Sequence, residues 1–404
     1  MSSRKTTVWM SQHPFPWEII LSIALLLAFL QATGVAQGAS PPLRAAGQRV
    51  VALPANVIPA SYSRNGRFIL AARYGLSSSL CLYDAVSLVR AHCVAVPSAR
   101  PFTLTSAAWS PDGSRLAFDN DLVAHGFIWL LDTRSGALTH VGQGVGGVPR
   151  YADADPAWAS DSRSLVFVRH DIVTQSEDID RVMLATGRQT TLLRRTRDTG
   201  PVLDGRSRLA LVDGGRALLY VSYSTLSGVG RLVRVELPSG AQHVFLTSGK
   251  GSPGLPSIAG VTQDGRTALV YYTALFYTGE LPAPNRSVFI VVDLLAGRVR
   301  PLLRAGRGRP SFIGPLGAVL SPEGRDVAYS YDDRKGRTML AVQNLATGVV
   351  STLEGLKASI AVKEGDALLS GEFLISDAMF WATNRTLYIG STLLGVGEIV
   401  TLPA

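Results

Sequence analysis

Few side chains in this sequence occur at the spacings found in known catalytic or metal-binding motifs. The chain of 404 residues contains six histidines, and no two have the His-x-x-x-His or His-Glu-x-x-His spacing that binds zinc. It has no Gly-x-Ser-x-Gly nucleophile motif, no phosphate-binding loop and no Gly-x-Gly-x-x-Gly that opens a helix. The sequence therefore predicts no catalytic residue, no metal ligand and no cofactor.

One histidine and two acidic segments are the remaining candidates for acid–base or metal chemistry. His170 stands next to Asp171, and carboxylates cluster in Asp153-Ala-Asp155 and in Glu177-Asp178-Ile-Asp180. Carboxylate oxygens can bind calcium, but neither segment has a recognised calcium-loop spacing. We interpret both segments as solvated turn carboxylates.

Composition limits the class of protein. Hydrophobic residues make up 47% of the chain and charged residues 17%, so the chain can bury a large core and disorder is excluded. Forty glycines and 22 prolines indicate many short elements that are joined by turns. A net charge of +9 without base-stacking aromatics among the arginines argues against nucleic acid as a partner.

An internal repeat organises the chain. The clearest copy of its first motif is Trp109-Ser-Pro-Asp-Gly-Ser-Arg-Leu-Ala-Phe118, which recurs from Trp158 and from Ser321. A second motif ends in Gly and is seen in Leu184-Ala-Thr-Gly187 and Asn344-Leu-Ala-Thr-Gly348. Each motif predicts a tight turn between two short strands, so each unit holds four strands. The tryptophans at one repeated position indicate packing between units rather than ligand stacking.

Four-stranded units that recur about every 50 residues are typical of β-propeller blades. We predict an all-β propeller over residues 48–404 with seven blades; six or eight are also compatible. The last unit has room for three strands, and the strand predicted at Gln48–Leu53 belongs to no unit. We therefore expect this N-terminal strand to complete the last blade and close the ring.

The first 39 residues are excluded from the fold. Arg4 and Lys5 precede an apolar run over residues 19–30, and small residues follow. This pattern predicts a signal peptide or, as the alternative, an uncleaved N-terminal membrane anchor, with residues 40–47 as a linker. Both interpretations predict an exported, periplasmic or extracytoplasmic protein, secreted or tethered to the membrane.

The motif at Trp109–Phe118 resembles the bacterial WD-like repeat of TolB-type periplasmic proteins, and the resemblance covers residues 48–404. It implies a β-propeller that binds proteins, peptides or cell-envelope polymers and is usually not catalytic. Two departures are expected. TolB carries an α/β domain before its propeller, whereas few residues separate Ala39 from the first blade here. Prolyl-oligopeptidase-like peptidases carry a hydrolase domain after such repeats, whereas this chain ends with its last blade.

Both tight turns of every blade fall on one face of the ring, so the longer loops share the opposite face. Loops usually carry function, and several here are rich in arginine. We predict a basic, aromatic-flanked site for an anionic partner. Its candidate residues are Arg194, Arg195, Arg197, Arg304, Arg307, Arg309, Arg334 and Tyr277. Solvated loop charges are the alternative interpretation.

Cys81 and Cys93 are the two cysteines, and they flank the last hairpin of the first blade. Export permits their oxidation, so either a disulfide or two buried thiols are expected.

The sequence thus favours a non-enzymatic exported propeller that binds a protein or an anionic envelope polymer. Two alternatives stay open. One is a structural subunit of a membrane complex that is anchored by the N-terminal segment. The other is a glycan hydrolase or lyase that uses carboxylates in the central channel. The sequence names neither the ligand nor the oligomeric state.

Overall fold

The computed structural model describes residues 43–44, 46–52, 57–63, 65–73, 79–96, 106–119, 127–141, 150–174, 176–195, 209–224, 229–237, 239–248, 255–262, 264–273, 289–302, 318–332, 338–354, 377–391 and 396–403. They belong to one compact unit, Pro41–Ala404. Residues 1–39, with the predicted signal peptide or anchor, lie outside the described residues. Within the described residues, no helix has the length and apolar character needed to cross a membrane.

The described strands form seven sheets, which we number in chain order. Sheet 1 contains β3 (Val57–Tyr62), β4 (Phe68–Arg73), β5 (Ser79–Asp84) and β6 (Arg90–Ala95). Sheet 2 contains β7 (Ala107–Trp109), β8 (Arg115–Asp119), β9 (Ile128–Asp132) and β10 (Leu138–Val141). Sheet 3 contains β11 (Tyr151–Trp158), β12 (Ser164–Asp171), β13 (Ser176–Met183) and β14 (Gln189–Arg195). Sheet 4 contains β15 (Leu209–Val212), β16 (Ala217–Ser224), β17 (Val229–Glu236) and β18 (Gln242–Ser248).

Two of the remaining sheets include a strand from the start of the described chain. Sheet 5 contains β19 (Leu255–Val261), β20 (Thr267–Thr273), β21 (Phe289–Asp293) and β22 (Arg298–Pro301). Sheet 6 contains β23 (Ala318–Leu320), β24 (Asp326–Asp332), β25 (Thr338–Asn344) and β26 (Val350–Glu354), with β1 (Leu43–Arg44) parallel to β26. Sheet 7 contains β27 (Asp377–Thr383), β28 (Thr386–Ser391) and β29 (Val396–Thr401), with β2 (Gly47–Ala52) antiparallel to β29.

The sheets pack into a closed ring, which confirms the predicted all-β propeller. Each pair of neighbouring sheets shares one cluster of buried apolar residues, including the pair formed by sheets 7 and 1. Between sheets 2 and 3, for example, Ile128 packs with Leu165 and Phe167, all fully buried. The first strands of neighbouring sheets contact one another and line the centre of the ring. Residues 40–47, expected to be a linker, include the short strand β1.

The first turn motif is stabilised by its own side chains. Ser110 Oγ accepts a hydrogen bond from the Arg115 amide at 2.9 Å and donates one to Asp112 at 2.6 Å. Thr262 and Ser321 accept the equivalent bonds, from the amides of Thr267 and Asp326. A hydroxyl at the first turn position therefore ties both strands of the hairpin together in these three copies, which explains why they have Ser or Thr there.

The repeated tryptophans join neighbouring sheets, as the sequence predicted. The indole nitrogens of Trp109, Trp158 and Trp381 donate to Ser61 Oγ, the Ala108 carbonyl and the Val319 carbonyl at 2.9, 2.8 and 3.1 Å. Each acceptor lies on the first strand of the preceding sheet. The three tryptophans are 7% exposed, so they belong to the packing of the ring.

The first turns also contact each other around the ring, and this predicts a large difference between two glycine substitutions. Gly265 and Gly187 both have positive φ, +69° and +66°, so alanine costs about 1 kcal/mol of backbone strain at either position. A Cβ at Gly265 would lie 2.6 Å from the Asp213 backbone nitrogen, whereas a Cβ at Gly187 meets nothing within 4 Å. We expect Gly265→Ala to lower the free energy of unfolding in urea by about 1–3 kcal/mol more than Gly187→Ala. Equal losses would show that the turns do not pack as described.

Cys81 and Cys93 face each other on β5 and β6, and the structure joins them in a disulfide. Their Cα atoms are 4.1 Å apart, and Cys81 is fully buried. The bond crosslinks the last hairpin of sheet 1.

Reduction of this disulfide predicts a measurable loss of stability. A crosslink over a short loop restricts the unfolded chain, so reduction should lower the free energy of unfolding by about 2–3 kcal/mol. Urea denaturation with and without a phosphine reductant measures the change. The Cys81→Ala/Cys93→Ala variant is the control and should not respond to reductant. A wild-type midpoint that reductant leaves unchanged would contradict the crosslink.

Candidate functional site

The two faces of the ring differ in what joins the strands. Both tight turns of sheet 3, at residues 159–163 and 184–188, lie at the same strand ends, and we call that side the hairpin face. The opposite side, the loop face, carries the start of β11 at Tyr151, the end of β12 at Asp171 and the end of β14 at Arg195. Of the predicted binding residues, Arg194 and Arg195 lie at the loop-face end of β14.

The structure describes two of the eight predicted binding residues. Arg194 is exposed near the end of β14, where its backbone pairs with Asp178. The backbone of Arg195 pairs with Glu177. The others lie outside the described residues: Arg197, Arg304, Arg307, Arg309, Arg334 and Tyr277.

Arg150, which the sequence analysis missed, stands on the same edge of the ring. Its guanidinium donates to Asp171 Oδ2 from two nitrogens, at 2.8 and 3.0 Å, and lies 5.3 Å from the centre of the Tyr151 ring. The Arg150 side chain is 58% exposed, whereas the Asp171 side chain is 10% exposed. The pair therefore presents its positive partner to solvent.

A buried charge network lies deeper, on the side of sheet 3 that faces sheet 2. Arg169 donates to both oxygens of Asp153, at 2.8 and 2.9 Å, and reaches Asp180 Oδ2 at 3.3 Å. Burial raises the pKa of Asp153 although the bonds from Arg169 oppose that shift. Burial alone would lower the pKa of Arg169, but the bonds to Asp153 outweigh it and raise that pKa. One guanidinium thus serves two carboxylates.

The segment Asp153-Ala-Asp155, expected to carry solvated carboxylates, is buried instead. Asp155 lies in a bulge of β11 with φ of +53°, and its amide donates to Asp119 Oδ2 at 2.9 Å. Asp119 Oδ1 also accepts the Ser106 amide at 2.9 Å, so this carboxylate ties sheet 2 to the bulge. This acidic segment therefore makes structural contacts that join sheets 2 and 3. Its strained backbone is the kind of feature that clusters near functional sites.

The acid–base candidates also lie in sheet 3. His170 pairs in register with Glu177, which is 4% exposed, and His170 Nδ1 is buried without a hydrogen-bond partner. Among the described residues, no group of three or more His, Cys, Asp or Glu side chains is placed to hold a metal ion.

The centre of the ring contains a cavity of about 500 Å³ on the side of the hairpin face. First strands of six sheets line it, mainly with small and apolar residues such as Ala108, Leu211 and Val261. Asp213 is the carboxylate among the described lining residues, and it lies 3.6 Å from a guanidinium nitrogen of Arg234.

No protein-family model and no curated protein sequence matches the chain. Solved structures do match. An oligogalacturonate lyase in complex with manganese is 15% identical with a TM-score of 0.59, over 90% of this chain and 96% of that chain. An oligogalacturonate lyase from Vibrio parahaemolyticus is 11% identical with a TM-score of 0.60, over 88% and 97%. TolB from Acinetobacter baumannii is 15% identical with a TM-score of 0.40, over 83% and 80%.

Identities this low establish the fold alone, because one fold serves many functions. The β-propeller that the repeat and the TolB-type resemblance predicted is confirmed.

The Arg150–Asp171 pair predicts a specific titration behaviour. The hydrogen bonds from Arg150, helped by the amides of Thr174 and Val173, lower the Asp171 pKa to about 2. A lowered carboxyl pKa stabilises the fold above the ordinary value near 4, and this contribution is lost as the pH falls toward 2. We expect Arg150→Ala to raise the Asp171 pKa part of the way to its ordinary value, as followed by carboxyl carbon NMR. Arg194→Ala is the control and should leave it unchanged. An unshifted pKa in Arg150→Ala would refute the pairing.

Proposed function

We propose that this protein is a seven-bladed propeller that binds an anionic polymer or an anionic protein segment through arginines on its loop face, without catalysing a reaction. The observation that carries the proposal is that arginines are exposed and carboxylates are buried at one edge of sheet 3. Arg150 and Arg194 are exposed at its loop-face edge, whereas Asp171, which pairs with Arg150, is buried, and Asp153 and Asp180 are buried deeper in the sheet. Solvent on this edge therefore meets two guanidinium groups beside the half-buried Asp178. Guanidinium groups bind carboxylates and phosphates with two parallel hydrogen bonds.

Further arginines extend the proposed site. Arg231, near the loop-face end of β17 in the next sheet, is also exposed. The arginines at positions 195, 197, 304, 307, 309 and 334, together with Tyr277, belong to the proposal through the sequence alone. A ring of such residues would hold an extended anionic chain at several points, so that weak contacts add up.

A glycan lyase is the second candidate function. Lyases of acidic sugars need a base that removes a proton, and His170 beside the buried Glu177 supplies a pair of suitable types. Two of the similar solved structures are described as oligogalacturonate lyases. The same acidic oligosaccharide is therefore the best single probe for both functions.

The test is calorimetric titration of the full-length protein with oligogalacturonate. We expect binding that weakens as salt rises, because exposed charges are screened. Arg150→Ala/Arg194→Ala should weaken it about tenfold. The control is Arg266→Ala/Arg325→Ala, which removes the same charge from two arginines that are 68% and 77% exposed on the hairpin face and should keep wild-type affinity. The Arg304→Ala/Arg307→Ala/Arg309→Ala variant tests the arginines outside the described residues.

The outcomes separate the candidate functions. Equal affinity for all variants, or no binding, would overturn the loop-face proposal for this class of ligand. Appearance of an unsaturated product, detected by its ultraviolet absorbance and lost in His170→Ala, would establish the lyase instead.

We further propose that residues 1–39 export the protein, or anchor it as a structural subunit of a membrane complex. N-terminal sequencing of the exported form distinguishes cleavage from anchoring.

A further inference from the structure

Sheets 2 and 3 enclose a groove of about 770 Å³ between their outer halves, and turn residues of the hairpin face such as Ser135 and Gly187 line one end of it. Blades of a propeller diverge as they run outward, so a gap between outer strands stays open unless large side chains fill it. Here the inner part of the interface is filled by the cluster around Ile128, Leu165 and Phe167. The outer part is lined by Leu130, Thr139 and Val141 from sheet 2, and by Val182, Leu184 and Gln189 from sheet 3.

The groove has the make-up of a ligand site. Its volume falls in the range of small-ligand pockets, which is about 300–1,000 Å³. Leu130, Val141 and Val182 give it apolar walls, whereas Thr139 is exposed at the rim. At the hairpin-face end, Asp132 accepts the amides of Arg134 and Ser135 from its own turn, so that carboxylate is already engaged.

Gln189, which lines the groove, covers a carboxylate that has an unpaired oxygen. Val182 and Gln189 are partners in register, and Asp180 follows on the same side of β13. The Gln189 amide donates to Asp180 Oδ2 at 2.6 Å, and Arg169 approaches that same oxygen at 3.3 Å. Asp180 is 3% exposed, and its Oδ1 has no hydrogen-bond partner.

The charges around Asp180 also leave an excess of negative charge. Arg169 shares its one positive charge between Asp153 and Asp180, so the network carries one net negative charge when both carboxylates are ionised. A buried carboxylate oxygen is costly without a donor, and a cationic donor satisfies it best. The ligand group that would complement Asp180 is therefore a cation with N–H donors. It would be carried on an apolar stem that fits between the walls of the groove.

We propose that this groove binds a lysine side chain of a partner protein, with its flanking residues extended along the groove. The four methylene groups of lysine pack against Leu130, Val141 and Val182, as long cationic side chains do on apolar surfaces. Gln189 swings aside, and the ammonium group donates to Asp180 Oδ1. Neither Arg150 nor Arg194 lines the groove, so the proposal does not rest on the proposed function.

The test is calorimetric titration with two capped peptides, N-acetyl-leucyl-lysyl-leucinamide and N-acetyl-leucyl-norleucyl-leucinamide. Norleucine keeps the apolar stem and lacks the ammonium group. We expect the lysine peptide to bind more tightly than the norleucine peptide, by about tenfold or more. Asp180→Asn should abolish that preference. Asp293→Asn, which alters the equivalent of Asp132 in sheet 5, is the matched control and should leave it intact.

A second variant keeps the proposal testable if Asp180→Asn fails to fold. Thr139→Trp fills the groove from the exposed edge strand β10 and leaves the charge network in place. It should block both peptides while keeping the wild-type unfolding temperature. Equal binding of the two peptides, binding that survives in Asp180→Asn or Thr139→Trp, or no binding at millimolar peptide would each overturn the proposal.

Discussion

The structure depends on one constraint: no sheet of this chain can bury both of its faces by itself. Each sheet has apolar side chains on both faces, and each face is buried only by the neighbouring sheet. The ring must therefore close, and the chain closes it with β2, which pairs along its length with β29. The early strand β2 thus completes the sheet that contains the last described strand, β29. This arrangement removes the open edge that an incomplete blade would expose to other chains.

Closure of the ring also gives its two faces different roles. On the hairpin face, turn hydroxyls and glycines pack against neighbouring turns, which leaves little freedom for change. The loop face has no such repeated contacts among the described residues, and there Arg150 and Arg194 stand exposed beside buried carboxylates. A rigid ring that carries variable loops is the usual way for a scaffold to position binding residues. The buried carboxylates fit the same division, because Asp119 of sheet 2 and Asp153 of sheet 3 hold β11, which begins at the loop face.

The repeat predicted most of the fold because its signals are local. A hydroxyl, a turn carboxylate and a glycine fix the first hairpins of sheets 2, 5 and 6 within about six residues, so one sequence reveals them. The strand β1 was missed because two residues paired in parallel leave no periodic signal. The buried role of Asp153 and Asp155 was missed for another reason. Their partners Arg169 and Asp119 are 16 and 36 residues away, and only the register between strands and sheets brings them together. The groove that Gln189 lines likewise depends on how two blades diverge, which no local pattern encodes.

The most direct test of the account is hydrogen–deuterium exchange, read by mass spectrometry, of the full-length protein with and without saturating oligogalacturonate. Binding through the loop face predicts slower exchange at the strand ends around Arg150, Asp171 and Arg194, and unchanged exchange at the turns around Asp112 and Asp264. Protection confined to those turns, or to the groove between sheets 2 and 3, would contradict the claim that the loop face is where this propeller binds its anionic partner.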